Sequence, residues 1–133
     1  MTPEFTAGQR WQYNTRSGEE ASRLLILKLE DVHRQQVAHI QLDGLAMKGP
    51  HGVSQIIGHT PITADALARS VTVLDAEQVA LPADDSGYQT WKAASERGEA
   101  GVFTVTIAEL VEAMEQAINT PTPDVFRKSN GNA

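Results

Sequence analysis

The chain has 133 residues, no cysteine, a formal net charge of −6 and a pI near 5.1. That length suits one domain able to bury its own core, and the missing cysteines exclude disulfides and thiolate chemistry and leave only His and carboxylates for any zinc site. The 11 Lys and Arg are scattered rather than gathered in a stripe, which argues against nucleic acid as a partner.

Residues 10 to 16 alternate, with Trp11, Tyr13 and Thr15 on one face and Gln12, Asn14 and Arg16 on the other. That is the period of a half-buried strand. Ser17-Gly18-Glu19-Glu20 supplies a turn, with Gly18 free to take a positive φ. The second strand is expected over Ser22 to Asp31, with Leu25, Leu27 and Leu29 on one face. Leu24 and Ile26, then Lys28 and Glu30, fall on the other. Its first half reads as covered on both sides, as in a central strand under a helix. Gln36 to Leu42 gives a third strand after the short link Val32 to Gln35, so residues 10 to 43 read as an antiparallel meander.

Gly49-Pro50-His51-Gly52 is the strongest break, and residues 45 to 52 read as an exposed, mobile loop. A weak fourth strand is expected over Val53 to Ile57, with Pro61 setting the entry to a helix. That helix is placed over Ala64 to Leu74, capped by Thr63, with Asp65 in its first turn. A second helix is expected over Gly87 to Arg97, with Tyr88 and Trp91 on one face and Asp84 or Asp85 as its cap. Val102 to Val105 reads as a strand. Thr106-Ile107-Ala108-Glu109 is a capping box opening a helix to about Ile118. Its buried stripe is Ile107, Leu110, Val111, Met114 and Ile118, and Glu109, Glu112 and Glu115 are expected in water. Residues 120 to 133 read as a flexible polar tail behind a domain over 1 to 119.

Four histidines are available, His33, His39, His51 and His59, and none forms an HExxH motif. His39, His51 and His59 could converge on a metal, with Asp43 as a fourth ligand. Separate surface or hydrogen-bonded histidines are the plainer reading. Gly44 to Gly49 has the glycine spacing of a phosphate loop, but Pro50 and His51 stand where Lys and Ser or Thr are needed. Gly52-Val53-Ser54 begins a nucleophile elbow and lacks its final glycine. A Ser54, His59 and Asp65 triad has sequence proximity and no spatial warrant. The adjacent pairs Glu19-Glu20 and Asp84-Asp85 read as turn and cap residues, with Glu19 and Glu20 in reach of Arg16 and Arg23. Trp11, Tyr13, Tyr88 and Trp91 are expected to meet if the second helix covers the sheet, as a buried cluster or a pocket wall.

The opening WxYxTRxGEExS pattern, the Leu- and Ile-rich strand after it and Gly101-Val102-Phe103-Thr104-Val105 resemble a group of small bacterial proteins of unknown function. The resemblance covers about residues 8 to 118. It implies a bacterial source and a stand-alone domain, and it carries no catalytic residues.

The expected architecture is α+β, a curved and mainly antiparallel sheet of four or five strands against about three helices. Met1 to Phe5 has no basic or apolar leader character and no run approaches a membrane span, so a cytoplasmic protein is expected. The leading functional expectation is a non-catalytic binding or protein-interaction module, for example of the inhibitor or immunity type, as a monomer or homodimer. No cofactor is expected. Its contact surface would be Arg16, Glu19 and Glu20 with the loop from Met47 to Gly52. A small hydrolase or metal enzyme built on His39, His51 and His59 is the first alternative. A small-molecule pocket lined by Trp11, Tyr13 and Trp91 is the second.

Overall fold

The computed structural model describes residues 4–120. The expected tail beyond Thr120 lies outside the described residues. In chain order the elements are β1 (Arg10–Tyr13), β2 (Arg23–Val32), β3 (Gln35–Asp43), β4 (Met47–Gly49) and β5 (Gly52–Ser54). There follow β6 (Ile57–Thr63), α1 (Ala64–Ser70), β7 (Val71–Ala76), α2 (Ser86–Glu96) and α3 (Ile107–Asn119). The fold is α+β. Five strands form an open antiparallel sheet in the order β6-β3-β2-β1-β7, and β4 and β5 make a separate small hairpin.

The meander of β1, β2 and β3 forms as its alternation dictates. Trp11 and Tyr13 point inward. The indole N–H of Trp11 donates to Gln9 Oε1 (3.0 Å), and the Tyr13 hydroxyl bonds Ser22 Oγ (2.6 Å). The polar tips of both buried aromatics are therefore satisfied.

The inner face of the sheet carries Leu24, Ile26, Ala38, Ile40, Leu42 and Ile62 against Ala66 and Leu67 of α1 and Ile107, Leu110 and Val111 of α3. Each fully buried Leu, Ile or Val among them contributes roughly 1.5–3 kcal/mol. Thr63 caps α1 by accepting the Ala66 N–H (3.1 Å), and Thr106 and Glu109 close the capping box of α3. Buried Ser70 joins the two helices. Its hydroxyl donates to Ala66 O (2.9 Å) and accepts the Ile107 N–H (3.0 Å), one of the donors a helix start leaves without an internal partner.

Several expectations change. α1 stops at Ser70 rather than Leu74, because Val71, Thr72 and Val73 are β-branched and enter the sheet edge beside β1. The expected strand over Val53 to Ile57 is split between β5 and β6, and Pro61 lies inside β6 instead of opening a helix. Among the described residues β3 is the only strand beside β6 in the sheet, and the far side of β6 meets Phe103 in a single parallel bridge at Ile62, all that forms of the expected strand over Val102 to Val105. An outer strand tolerates the missing proline N–H. Residues 45 to 52 are not simply an exposed loop, since Leu45 and Met47 are buried in the core. In α3, Ile118 is 43% exposed and leaves the buried stripe. Glu112 stays exposed as expected while also pairing with Arg16, and Glu115 is drawn half out of water by the same Arg16.

The largest correction concerns β2. Ile26 pairs with Ile40 and Lys28 pairs with His39, so β2 advances two residues while β3 advances one. Leu27 is the extra residue of a β-bulge. Beyond it the faces exchange. Leu29 joins Leu24 and Ile26 on the inner side, packing on the core, while Lys28 and Glu30 move to the outer face with Leu25, the opposite grouping from simple alternation.

Candidate functional site

A second bulge lies on the other side of β3. Ile40 pairs with Thr60 and Leu42 with Ile57, so β6 carries one extra residue across Gly58 and His59. His39 therefore sits on the outer face between two irregular neighbours. Bulges re-aim side chains and are enriched beside functional sites. Here they deliver Glu30 from β2 and His59 from β6 to the two ring nitrogens of one histidine.

His39 is 0% exposed. Its Nε2 lies 2.8 Å from Glu30 Oε1 and its Nδ1 lies 2.9 Å from His59 Nε2. The two imidazoles stack at 5.1 Å and 17°. Burial pushes the His39 pKa down against the opposing pull of Glu30, so the ring is neutral at pH 7. On Glu30 burial acts upward, but the hydrogen bonds from His39 and Tyr88, with Lys92 nearby, outweigh it and hold the carboxyl below its ordinary range. An ionised Glu30 fixes the tautomers in turn. His39 donates from Nε2–H to Glu30 and accepts at Nδ1 from His59 Nε2–H. That leaves His59 Nδ1 as a bare acceptor. Among the described residues it has no hydrogen-bond partner, and it is not a buried atom.

α2 closes this row from above. Tyr88 and Trp91 both meet the His39 ring edge-on at 4.8 Å. The Tyr88 hydroxyl donates to Glu30 Oε1 (3.2 Å), the Lys92 ammonium lies 3.4 Å from Glu30 Oε2, and the Trp91 indole N–H donates to Gly101 O (2.9 Å). Gly87 is what lets the helix come so near. A Cβ there would stand 2.8 Å from His59 Cβ. The helix start is organised by Asp84, whose Oδ1 accepts the Ser86 N–H, while Asp85 occupies the cap position without a capping bond of its own.

Between the first turn of α2, residues 81 to 85 and the outer face of β2, β3 and β6 lies a cleft of about 800 Å³. His59, Lys28, Gln41, Tyr88 and Gly87 line it, with Leu27, Leu81 and Pro82 as apolar walls. Its size suits a small organic molecule.

The structure brings His39 and His59 together and leaves His51 apart, on the exposed turn between β4 and β5. Among the described residues no group of three or more His, Asp or Glu side chains is placed to hold a metal ion. Trp11 and Tyr13 do not meet Tyr88 and Trp91. The first pair belongs to the inner core, where Phe5 packs edge-on against Trp11 at 5.7 Å. Of the three aromatics expected to line a pocket, Trp91 alone is on the cleft side, backing His39. The expected contact tip is largely internal. Glu19 is 2% exposed, bonded to Arg16 and to the Ala46 N–H (2.8 Å), and Arg16 also reaches Glu112 (3.0 Å) and Glu115 (2.9 Å). Glu20 stays exposed, accepting the Gly18 N–H. Sequence reasoning misses Glu30 and Gly87 as site residues and finds Tyr88 only as a member of an aromatic cluster. The one available signal is the change at Leu27 from an apolar run to the alternating Lys28-Leu29-Glu30.

Among the described residues no helix is long and apolar enough to cross a membrane. No protein family matches the chain, and no curated protein or solved structure matches it either.

Proposed function

We propose that the protein is a small non-catalytic binding module whose ligand is a small molecule held in the cleft under α2. One observation carries this reading: the row Glu30–His39–His59, buried at its centre, ends at the cleft wall with His59 Nδ1, an accessible acceptor that has no partner among the described residues. A row this fully organised behind one free atom is how binding sites fix a partner's orientation. Burial, with His39 adding to it, pushes the His59 pKa down to about 4. At pH 7 the ring accepts a hydrogen bond readily and holds a proton poorly. That favours binding over general-base catalysis, which works best with a pKa near the operating pH. The internal engagement of Arg16 and Glu19 shifts weight from a protein partner at the β1–β2 tip to the cleft. The resemblance of the opening to small bacterial proteins supports a bacterial source, and the acidic composition supports a cytoplasmic location.

A thermal-shift screen of metabolite-like compounds tests the reading, run on the native chain and on Gln41→Trp, which fills the cleft floor. A ligand at a hundred times its Kd adds roughly 2.7 kcal/mol of stability, which is a rise of several degrees in Tm. The expected result is a chemical class that raises Tm in the native chain and fails in Gln41→Trp. Hits that act equally on both, or a silent screen, would return the protein-interaction reading to first place.

A further inference from the structure

The cleft floor presents three polar groups on three adjacent strands, none with a hydrogen-bond or ion-pair partner among the described residues: the Lys28 ammonium on β2, the Gln41 amide on β3 and His59 Nδ1 on β6. Each asks for something different. Lys28 donates and is cationic, Gln41 can donate and accept, and the neutral His59 ring only accepts at Nδ1. Lys28 and His59 flank β3 on opposite sides, so their backbones stand roughly 10 Å apart at the usual strand spacing.

The space between the two is aromatic and apolar. The Lys28 ammonium lies 5.2 Å from the Tyr88 ring centre, and the His59 ring centre lies 6.1 Å from it. Leu81 and Pro82 form the facing wall. The cleft also holds Asp84 and Asp85. Both are turned to the start of α2, Asp84 on the Ser86 N–H and Asp85 on the Gln89 side chain. Two carboxylates near a single free lysine oppose a polyanion and tolerate one negative charge.

Resting on the reading of the cleft as a binding site, we infer that its ligand is an aromatic monoacid with a hydroxyl or N–H donor at the end opposite its acid group. The acid pairs with Lys28, the ring lies against Tyr88 and the Leu81–Pro82 wall, and the far donor hydrogen-bonds His59 Nδ1. The Glu30–His39 pair behind His59 keeps that nitrogen bare by holding the proton on Nε2.

The test is an NMR titration of the full chain with labelled histidine and tyrosine side chains, using four probes. They are 4-hydroxybenzoate, benzoate without the donor, 4-hydroxybenzamide without the charge, and pyrophosphate as a polyanion. The expected result is that 4-hydroxybenzoate moves the His59 resonances and binds at least about tenfold more tightly than the other three, the size of one charge-assisted hydrogen bond. In Lys28→Met, an exposed position, its advantage over the benzamide disappears while the His59 shift remains. Equal binding of acid and amide, or tighter binding of pyrophosphate, overturns the ligand class and leaves the cleft reading standing. If no probe, nor a wider set of neutral and cationic aromatic fragments, moves His59 or Tyr88, both readings fall together.

Discussion

The two faces of the sheet solve different problems with the same strands. The inner face is dry and aliphatic, and polar side chains such as Ser70 and Thr63 are tied into helix caps or side-chain bonds, while the buried Thr60 hydroxyl has no partner among the described residues. The outer face sets a carboxylate and two imidazoles in a row and then leaves a cleft over them. Apolar packing is non-directional and tolerates many solutions, whereas a hydrogen-bonded row holds only at one register. The difference teaches where each constraint lies. Stability belongs mainly to the inner face, and geometry belongs to the bulges that aim the outer one.

Inserting an alanine between His39 and Ile40, opposite Leu27, attacks both faces at once. It would give Leu27 a partner and remove the bulge, turning Leu29 outward and driving Glu30 into the core. The expected outcome is loss of the cooperative melting transition by circular dichroism, and a variant that melts like the parent would refute the assignment of faces. Leu110→Ala strikes the inner face alone. It is expected to cost about 2–5 kcal/mol in denaturant unfolding, with the outer-face histidine resonances unchanged. His39→Leu strikes the outer face alone, keeping volume while stranding Glu30 and His59. About 1–3 kcal/mol is expected, together with broadening or displacement of the His59 signal.

Acid sharpens the contrast further. His39 and His59 have folded pKa values below the ordinary 6.5, that of His59 about 4. Between those limits the unfolded chain binds protons that the folded chain refuses, so stability is full above pH 6.5 and is lost as pH falls toward 4. Glu30 and Glu19, held below the ordinary carboxyl range, add a further loss below about pH 4.5. Lys28 and Lys92 lie near His39 and disfavour its protonation. Melting curves at stepped pH should fall from 6.5 downward, and less steeply in His59→Phe. The smallest effect is at the β2–β3 turn, where His33 and Arg34 both take positive φ, 51° and 66°. Replacing them with Asn-Gly, the pair suited to such a turn, should stabilise by about 0.5–1 kcal/mol in the same unfolding assay.

What was legible in the chain was local. The alternation around Trp11 and Tyr13, the Thr63 cap and the Thr106–Glu109 capping box are written within a few residues of where they act. The bulges are not local, because each is a difference in count between two paired strands. The grouping of Leu29 with Ile26, and of Glu30 with His39, therefore could not be read from β2 alone. The site inherits that limit. Its members come from β2, β3, β6 and α2, and only the register makes Glu30 and His59 neighbours of His39. A glycine and a proline inside one strand, Gly58 and Pro61, were a sign of irregular pairing on an outer strand rather than of a helix entry.

Arg16 joins the β1–β2 connection to Glu112 and Glu115, positions 96 and 99 residues further along the chain. Glu19 beside it holds the Ala46 N–H, and Glu115 holds the Lys48 N–H. During synthesis the early hairpin therefore emerges with half of its ionic clamp unmade, and β4 has only one of its two carboxylate anchors. Contacts of such long sequence separation close late and slowly. A nascent chain stopped before α3 keeps Leu45 and Met47 without the cover that helix gives, so this apolar surface stays open until α3 leaves the ribosome.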